Sequence, residues 1–365
     1  MNTFRHLVVT PAHTTSYLEA GPENGPLLVF VHGWPGLAST WRNQFGYFAA
    51  RGYRVAAPDM RGYGDSTVHD DPAAYRQELL VADMLALLDH LGRRAAVWVG
   101  HDWGSPTVWN IAAHFPERCV AAATLGVPFG TLERGWDGLL PVVDRARYPE
   151  DTNPYGQFDY MAFYERHAKH AASVFEAVPG NTVKALFRRG DPAAHTRPAP
   201  TSAITRDGGW FGGAPSAPDA PLSTTVLTER DFDDLTAAFT RNGFGGPTSY
   251  YLNHEINARY ADAAPGGHVL RLPVLFVGAA YDQVADLDSP TMLDAMHSTC
   301  PNLTEATVPA GHWLQLEAAP AVNEHIESWL TSHVAEPLPW CRPQGDGFSG
   351  YGCGAEQTED RGCIR

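Results

Sequence analysis

Hydrophobic and polar positions in the first third of the chain alternate in blocks that are typical of βα units. Short runs rich in Val, Leu and Ala, which predict buried strands, occur at 27–33, 53–60, 95–100 and 119–128. Apolar residues at helical spacing fill two of the intervals, 76–92 and 104–115. This alternation predicts a mostly parallel sheet flanked by helices.

The middle of the chain breaks this pattern. Residues 131–265 contain helical segments separated by a long loop rich in Gly, Pro and Ser at 189–221, which favours an inserted helical cap over more sheet. Strand patterns resume at 270–280 and 303–311, and a helix follows at 319–334. We therefore expect an α/β core built from residues 1–130 and 266–335, a cap at 131–265 and, from composition, a disordered tail at 336–365.

Composition excludes several classes of partner and location. The chain has 26 Lys and Arg against 41 Asp and Glu, a net charge of -15 that would repel nucleic acid. No signal peptide pattern and no apolar run of about 18 residues is present, so we expect a cytoplasmic protein without a membrane span. The five cysteines are odd in number and lack CxxC spacing, which predicts neither a disulfide framework nor a zinc site.

The segment "VGHDWGS" at 99–105 has the features of a nucleophile elbow with Asp102 at its centre. Gly100 and Gly104 occupy the two positions where this sharp strand-to-helix turn requires small residues, and a predicted strand and helix flank it. Alternatively, Asp102 only caps the following helix. The residues that follow later strands favour the catalytic interpretation.

Asp282 and His312 follow the predicted strands at 270–280 and 303–311, in the chain order nucleophile, acid, histidine that this architecture uses. We expect His312 to act as general base and Asp282 to orient it. Three other carboxylates are weaker candidates for the acid because of their positions relative to the strand ends, namely Asp286, Asp288 and Asp137.

The segment "HGWPG" at 32–36 follows the strand at 27–33, where the second half of an oxyanion hole belongs. The backbone N–H groups of Trp34 and Trp103 are the predicted donors. Since cis peptide bonds are largely confined to X–Pro, Trp34–Pro35 is a candidate for one. His167 and His170 have helical spacing but no third ligand nearby, so we expect no metal and no cofactor.

An aspartate at the elbow changes the electrophile that the site can attack. A carboxylate is a nucleophile without help from a base, so Asp102 suits an sp³ carbon and leaves His312 free for the second half-reaction. That half-reaction is hydrolysis of the resulting alkyl ester by water. The leaving group is then either a halide or an epoxide oxygen.

At this point the motifs "HGWPG", "DMRGYGDS", "VGHDWGS", "YDQV" and "GHWLQLE" together resemble the soluble epoxide hydrolases of the α/β-hydrolase superfamily. The segments "NPYGQFDYMAFY" and "GGPTSYYLN" resemble the two cap segments of that family, which implies that Tyr160 and Tyr251 hydrogen-bond the epoxide oxygen. Tyr250, the neighbour of Tyr251, should point elsewhere. The resemblance covers about residues 4–335 and corresponds to the hydrolase domain without the phosphatase domain of mammalian members.

These observations predict a cofactor-independent enzyme that converts a small apolar epoxide and water into a vicinal diol. A haloalkane or haloacid dehalogenase is the nearest alternative, disfavoured by Pro35, where haloalkane dehalogenases typically have Asn after the residue equivalent to Trp34. A non-catalytic ligand-binding member of the fold is the second alternative, disfavoured by the intact set of Asp102, Asp282 and His312. The sequence leaves open whether the protein is a monomer or a homodimer.

Overall fold

The computed structural model describes residues 3–193 and 197–334, and eight strands within these ranges form a single sheet in the order β1-β2-β4-β3-β5-β6-β7-β8. Strands β1 and β2 pair antiparallel with their neighbours, and the remaining pairs are parallel, which confirms the predicted sheet. Their bounds are β1 Phe4–Val9, β2 Thr14–Ala20, β3 Leu27–Val31, β4 Arg54–Pro58, β5 Ala96–His101, β6 Cys119–Leu125, β7 Val274–Ala279 and β8 Leu303–Val308.

Helices cover the sheet and extend beyond it. Among the described residues, three α-helices precede β6, namely α1 Arg42–Ala49, α2 Gln77–His90 and α3 Gly104–His114. Three follow β7, namely α10 Asp294–Thr299, α11 Leu314–Glu317 and α12 Ala319–His333. Those between β6 and β7 are α4 Trp136–Leu139, α5 Asp159–Ala177, α6 Pro179–Leu186, α7 Glu229–Asn242, α8 Gly245–Ser249 and α9 His254–Asp262. The segment between β6 and β7 is therefore helical in its regular parts, as the sequence predicts.

The central strands are buried on both faces, as expected for parallel strands covered by helices. All five residues of β3 are buried, and its side chains alternate between two clusters. Leu28 and Phe30 pack with α1 and α12, where the Phe30 ring lies 5.0 Å from that of Trp41. Val29 and Val31 face the larger cluster that also contains the aromatic residues between β6 and β7. Burial of each such side chain contributes about 1.5–3 kcal/mol.

The parallel strands β3, β5, β7 and β8 end at the same edge of the sheet. Their carboxyl-terminal loops carry the four residues Trp34, Asp102, Asp282 and His312. Because parallel neighbours bring these loops together, residues almost 280 positions apart in sequence meet at one place.

No helix among the described residues is long and apolar enough to cross a membrane. Cys119 and Cys300 are buried free thiols. The tail predicted to be disordered, 336–365, lies outside the described residues, as do the remaining cysteines Cys341, Cys353 and Cys363.

Candidate active site

Asp102 sits at the tip of the turn between β5 and α3 in the left-handed region, with φ of 50°. This conformation is unfavourable for a residue with a Cβ, and it projects the side chain away from the sheet. A Cβ on Gly104 would lie 2.0 Å from the carbonyl oxygen of Val31, and one on Gly100 would lie 2.7 Å from the carbonyl oxygen of Gly104. The turn therefore requires glycine at both positions because it packs directly against its own backbone and that of β3.

The Asp102 carboxyl is buried, with 8% of the residue exposed, and it is held by backbone donors. The N–H of Trp34 donates to Oδ1 at 2.6 Å, and the N–H of Trp103 also hydrogen-bonds the carboxyl group. Burial raises the pKa of Asp102, against the opposing effect of His312 and these two N–H groups. Both backbone N–H groups predicted as oxyanion-hole donors therefore hydrogen-bond the carboxyl group of Asp102. The Trp34–Pro35 peptide bond is cis.

His312 lies between two carboxylates. Its Nδ1 is 2.8 Å from Asp282 Oδ2, and its Nε2 is 3.7 Å from Asp102 Oδ2. Burial disfavours the imidazolium, but the two carboxylates outweigh it and raise the pKa of His312 to about 9. In the resting protein at neutral pH, the site therefore holds an imidazolium between the two acids.

Asp282 is fixed from its other side by the loop that carries it. Its Oδ1 accepts hydrogen bonds from the N–H groups of Val284 at 2.9 Å and Ala285 at 3.3 Å. Burial alone would raise the pKa of Asp282, but His312 and these N–H groups bring it below the ordinary value. Asp282 therefore stays ionised and orients the imidazole.

The weaker acid candidates lie apart from the histidine. Asp286 pairs with Arg147, and Asp288 is about half exposed beside the same arginine. Asp137 lies on α4 and lines a separate groove. Within the described ranges, no group of three or more His, Cys, Asp or Glu side chains is placed to hold a metal ion.

Two tyrosines from the segment between β6 and β7 face the elbow. Tyr160 lies in the first turn of α5 and Tyr251 in the 3₁₀ turn after α8, with ring centroids 5.6 Å apart at 72°. Both are buried, and burial raises the pKa of each phenol well above 10. Each phenol is thus a permanent hydrogen-bond donor. Tyr250 points elsewhere, and its hydroxyl donates to the carbonyl oxygen of Arg61 at 2.9 Å.

The site contains a cavity whose two lobes meet at Asp102. The inner lobe is narrow and almost entirely apolar, with walls that include Leu132, Leu139, Phe158, Met161 and Met292. The outer lobe is roomier and more polar, and its walls include Trp34, Trp210, Arg188, Arg189 and Gln283. Both lobes are lined by Asp102, Tyr160, Asp282, Val284 and His312. A ligand in either lobe therefore contacts the carboxylate and the histidine.

Tyr164 packs against the aromatic residues that line the outer lobe and was not predicted from the sequence. Its ring centroid lies 4.7 Å from that of Tyr251. The Tyr164 ring also stacks on Trp210, with the two ring centroids 6.1 Å apart. Tyr164 follows Tyr160 by four residues on α5, and this helical spacing places both rings on one face. That spacing is the sequence signal that could have located Tyr164.

Comparison with known proteins identifies the family to which the chain belongs. A family model described as the alpha/beta hydrolase fold matches residues 26–319. Epoxide hydrolase B of Mycobacterium tuberculosis is 32% identical over 337 residues, covering 84% of this chain and 92% of that protein. The chain belongs to the epoxide hydrolases of the alpha/beta hydrolase fold.

Other epoxide hydrolases agree in structure and sequence. The crystal structure of epoxide hydrolase A from Mycobacterium thermoresistibile superposes with a TM-score of 0.73 at 30% identity, covering 91% of this chain and 99% of that one. Bifunctional epoxide hydrolase 2 of Sus scrofa is 30% identical over 334 residues, which are 91% of this chain and 56% of that protein. The chain thus spans about half the length of this mammalian relative.

Proposed function

We propose that this protein hydrolyses an epoxide to a vicinal diol through an alkyl ester on Asp102. The observation that carries the proposal is the convergence of an elbow carboxylate and two buried phenols on one cavity. The carboxylate supplies a nucleophile for carbon, and the phenols supply protons for oxygen. A serine at the elbow would lack the first function, and an ordinary apolar cap would lack the second.

In the first step, a carboxylate oxygen of Asp102 attacks one ring carbon and the C–O bond of the epoxide breaks. The oxygen stays attached to the substrate as an alkoxide, which Tyr160 and Tyr251 stabilise by hydrogen bonds and protonate. Their raised pKa keeps both phenols protonated before the reaction. The roomier outer lobe holds the substituent of the ring, and the apolar walls of the inner lobe keep water away from the attack.

In the second step, His312 takes a proton from water, and the resulting hydroxide attacks the carbonyl carbon of the ester. Asp282 holds the imidazole through Nδ1 and stabilises the charge that forms. The N–H groups of Trp34 and Trp103 lie at the carboxyl group of Asp102, so they receive the oxyanion of the tetrahedral intermediate. Collapse of the intermediate breaks the ester C–O bond, and His312 returns the proton taken from water to the departing alcohol oxygen. This releases the diol and restores the Asp102 carboxylate.

The protonation state of His312 links the two steps. The resting imidazolium is stabilised by both carboxylates, and esterification removes the negative charge of Asp102. The pKa of His312 then falls, and Nε2 releases one proton, which replaces the proton that a phenol gave to the alkoxide. The neutral ring is then a base for water. We also propose that residues 131–265 form the cap that supplies the phenols, over a core of residues 1–130 and 266–335.

Mass spectrometry of His312→Ala with a simple aryl epoxide tests the proposal. The variant should accumulate an adduct on Asp102 with the complete mass of the epoxide, because the leaving oxygen stays attached. Asp102→Asn is the matched control and should form no adduct. An adduct formed only from haloalkanes, with loss of hydrogen halide, would support a dehalogenase. Absence of any adduct and of any diol from the unaltered protein would leave a ligand-binding function.

A further inference from the structure

A second histidine lies beneath His312 and is not used by the reaction. His101, the last residue of β5, is 1% exposed, and its Nε2 lies 2.8 Å from the carbonyl oxygen of His312. The two ring centroids are 4.8 Å apart. A carbonyl oxygen only accepts hydrogen bonds, so Nε2 of His101 carries the proton and donates it. This hydrogen bond connects His101, the residue before Asp102, to the backbone of His312.

Gln315 fixes the other side of the His101 ring. Its Nε2 lies 3.1 Å from His101 Nδ1, which accepts the bond in the tautomer just described. Gln315 is fully buried, and its backbone carbonyl oxygen accepts a hydrogen bond of 3.1 Å from the side-chain amide of Gln44, which also donates to Asn323 on α12. Burial, together with the neighbouring His312, lowers the pKa of His101 to about 3, so the ring stays neutral and keeps this tautomer.

We propose that His101 and Gln315 are positioning residues that hold the His312 backbone in the orientation needed for ester hydrolysis. This inference rests on the proposed function. His312 must direct Nδ1 to Asp282 and Nε2 to the water beside the ester, while its side chain remains 29% exposed to the cavity. The bond from His101 constrains the backbone on the buried side. Attack by Asp102 on the epoxide does not use His312, so loss of this constraint affects the second step selectively.

Three variants test the assignment. His101→Phe removes the donor while keeping a planar ring, and Gln315→Met removes the bond that fixes the tautomer. His101→Gln is the conservative variant, since its amide nitrogen can still donate to the carbonyl oxygen. Stopped-flow tryptophan fluorescence with an excess of an aryl epoxide measures alkylation and ester hydrolysis separately, because Trp34 and Trp103 adjoin Asp102.

We expect ester hydrolysis in His101→Phe and Gln315→Met to slow about tenfold to a hundredfold, the effect of a small misplacement of a catalytic group. Alkylation should change by less than about threefold, so kcat and KM fall together. His101→Gln should recover most of the lost rate. If His101→Phe does not fold, Gln315→Met still decides the question.

His13→Gln is the control for a general loss of stability. His13 is equally buried but lies in the turn between β1 and β2, at the opposite edge of the sheet from β8. The variant His13→Gln should leave the ratio of the alkylation rate to the ester hydrolysis rate unchanged. Equal slowing of both steps in the His101 and Gln315 variants, or no change in either step, would overturn the positioning role. If the unaltered protein forms no ester at all, the proposed function fails instead, and the two failures are thereby distinguished.

Discussion

Neutralising Asp102 should lower the pKa of His312 by about 3 units. Asp102 Oδ2 lies 3.7 Å from His312 Nε2. Two charges at about 4 Å interact by about 4 kcal/mol at an effective dielectric constant of about 20. Each pKa unit corresponds to about 1.4 kcal/mol, so removal of the Asp102 charge should bring the pKa of His312 from about 9 to roughly 6.

In Asp102→Asn the side chain at position 102 is neutral without any substrate, as it is in the ester. Titration of ¹⁵N-labelled histidine by NMR measures the pKa, with the resonance of His312 assigned by its loss in His312→Gln. Intact mass must be checked for each sample, because slow hydrolysis of the new amide would restore aspartate. A decrease of less than about 1 unit would refute the electrostatic link between the two steps. A decrease of about 3 units makes His312 a base at neutral pH only after alkylation, so ester hydrolysis should rise with pH to a plateau above about pH 7.

Three further predictions concern the phenols, the cap and the elbow. Tyr160→Phe and Tyr251→Phe should each slow alkylation about a hundredfold by removing one donor to the alkoxide, measured by single-turnover kinetics, and unchanged alkylation would exclude the phenols from the first step. Glu317 accepts hydrogen bonds from the N–H groups of Gly190 and Gly311, each at 3.0 Å. Glu317→Ala should therefore speed hydrogen exchange in both loops together, whereas a response confined to one loop would contradict this linkage. Gly104→Ala should destabilise the fold by about 3 kcal/mol in urea unfolding, while the matched control Gly46→Ala, on an exposed helical site with no atom nearby, should stabilise it by about 0.5–1 kcal/mol. Equal effects of the two alanines would contradict the packing argument.

The parts of the fold that follow repeating patterns could be predicted from the sequence. Strands β3, β4, β6, β7 and β8 lie inside the predicted segments, and β5 extends one residue beyond its segment. Strands β3 to β7 could be predicted because buried parallel strands have continuous apolar runs. Strands β1 and β2 were not predicted. Strand β1 lies at the sheet edge, and its apolar residues Phe4, Leu7 and Val9 are exposed, so they do not mark a buried face.

The residues of the site also differ in how far they could be predicted from the sequence. The position of Asp102 could be predicted from Gly100 and Gly104, which flank it. A Cβ on these glycines would lie 2.7 and 2.0 Å from backbone oxygens, so both positions require glycine. Asp282 and His312 were located by strand order alone, because parallel strands end at one edge of the sheet. The roles of Tyr160 and Tyr251 came only from family resemblance, since a tyrosine on a helix carries no local mark of its function.

Contacts made through long-range tertiary packing left no pattern in the sequence. The bond between His101 and the carbonyl oxygen of His312 joins residues 211 positions apart. The outer lobe of the cavity is lined in part by Gly190, Pro200 and Trp210, which belong to a segment without hydrophobic periodicity. Cavity shape, and the residues that fix the His312 loop, therefore required the structure.

The central claim is that the carboxylate of Asp102, and not water, attacks the epoxide. A single turnover with enzyme in excess over an aryl epoxide in H₂¹⁸O tests it directly, with the diol analysed by mass spectrometry. We predict that the first diol contains no ¹⁸O, because its new oxygen comes from Asp102, and that label appears in Asp102 and then in the diol of later turnovers. Full incorporation of ¹⁸O into the first diol would mean direct attack by water and would contradict the ester mechanism.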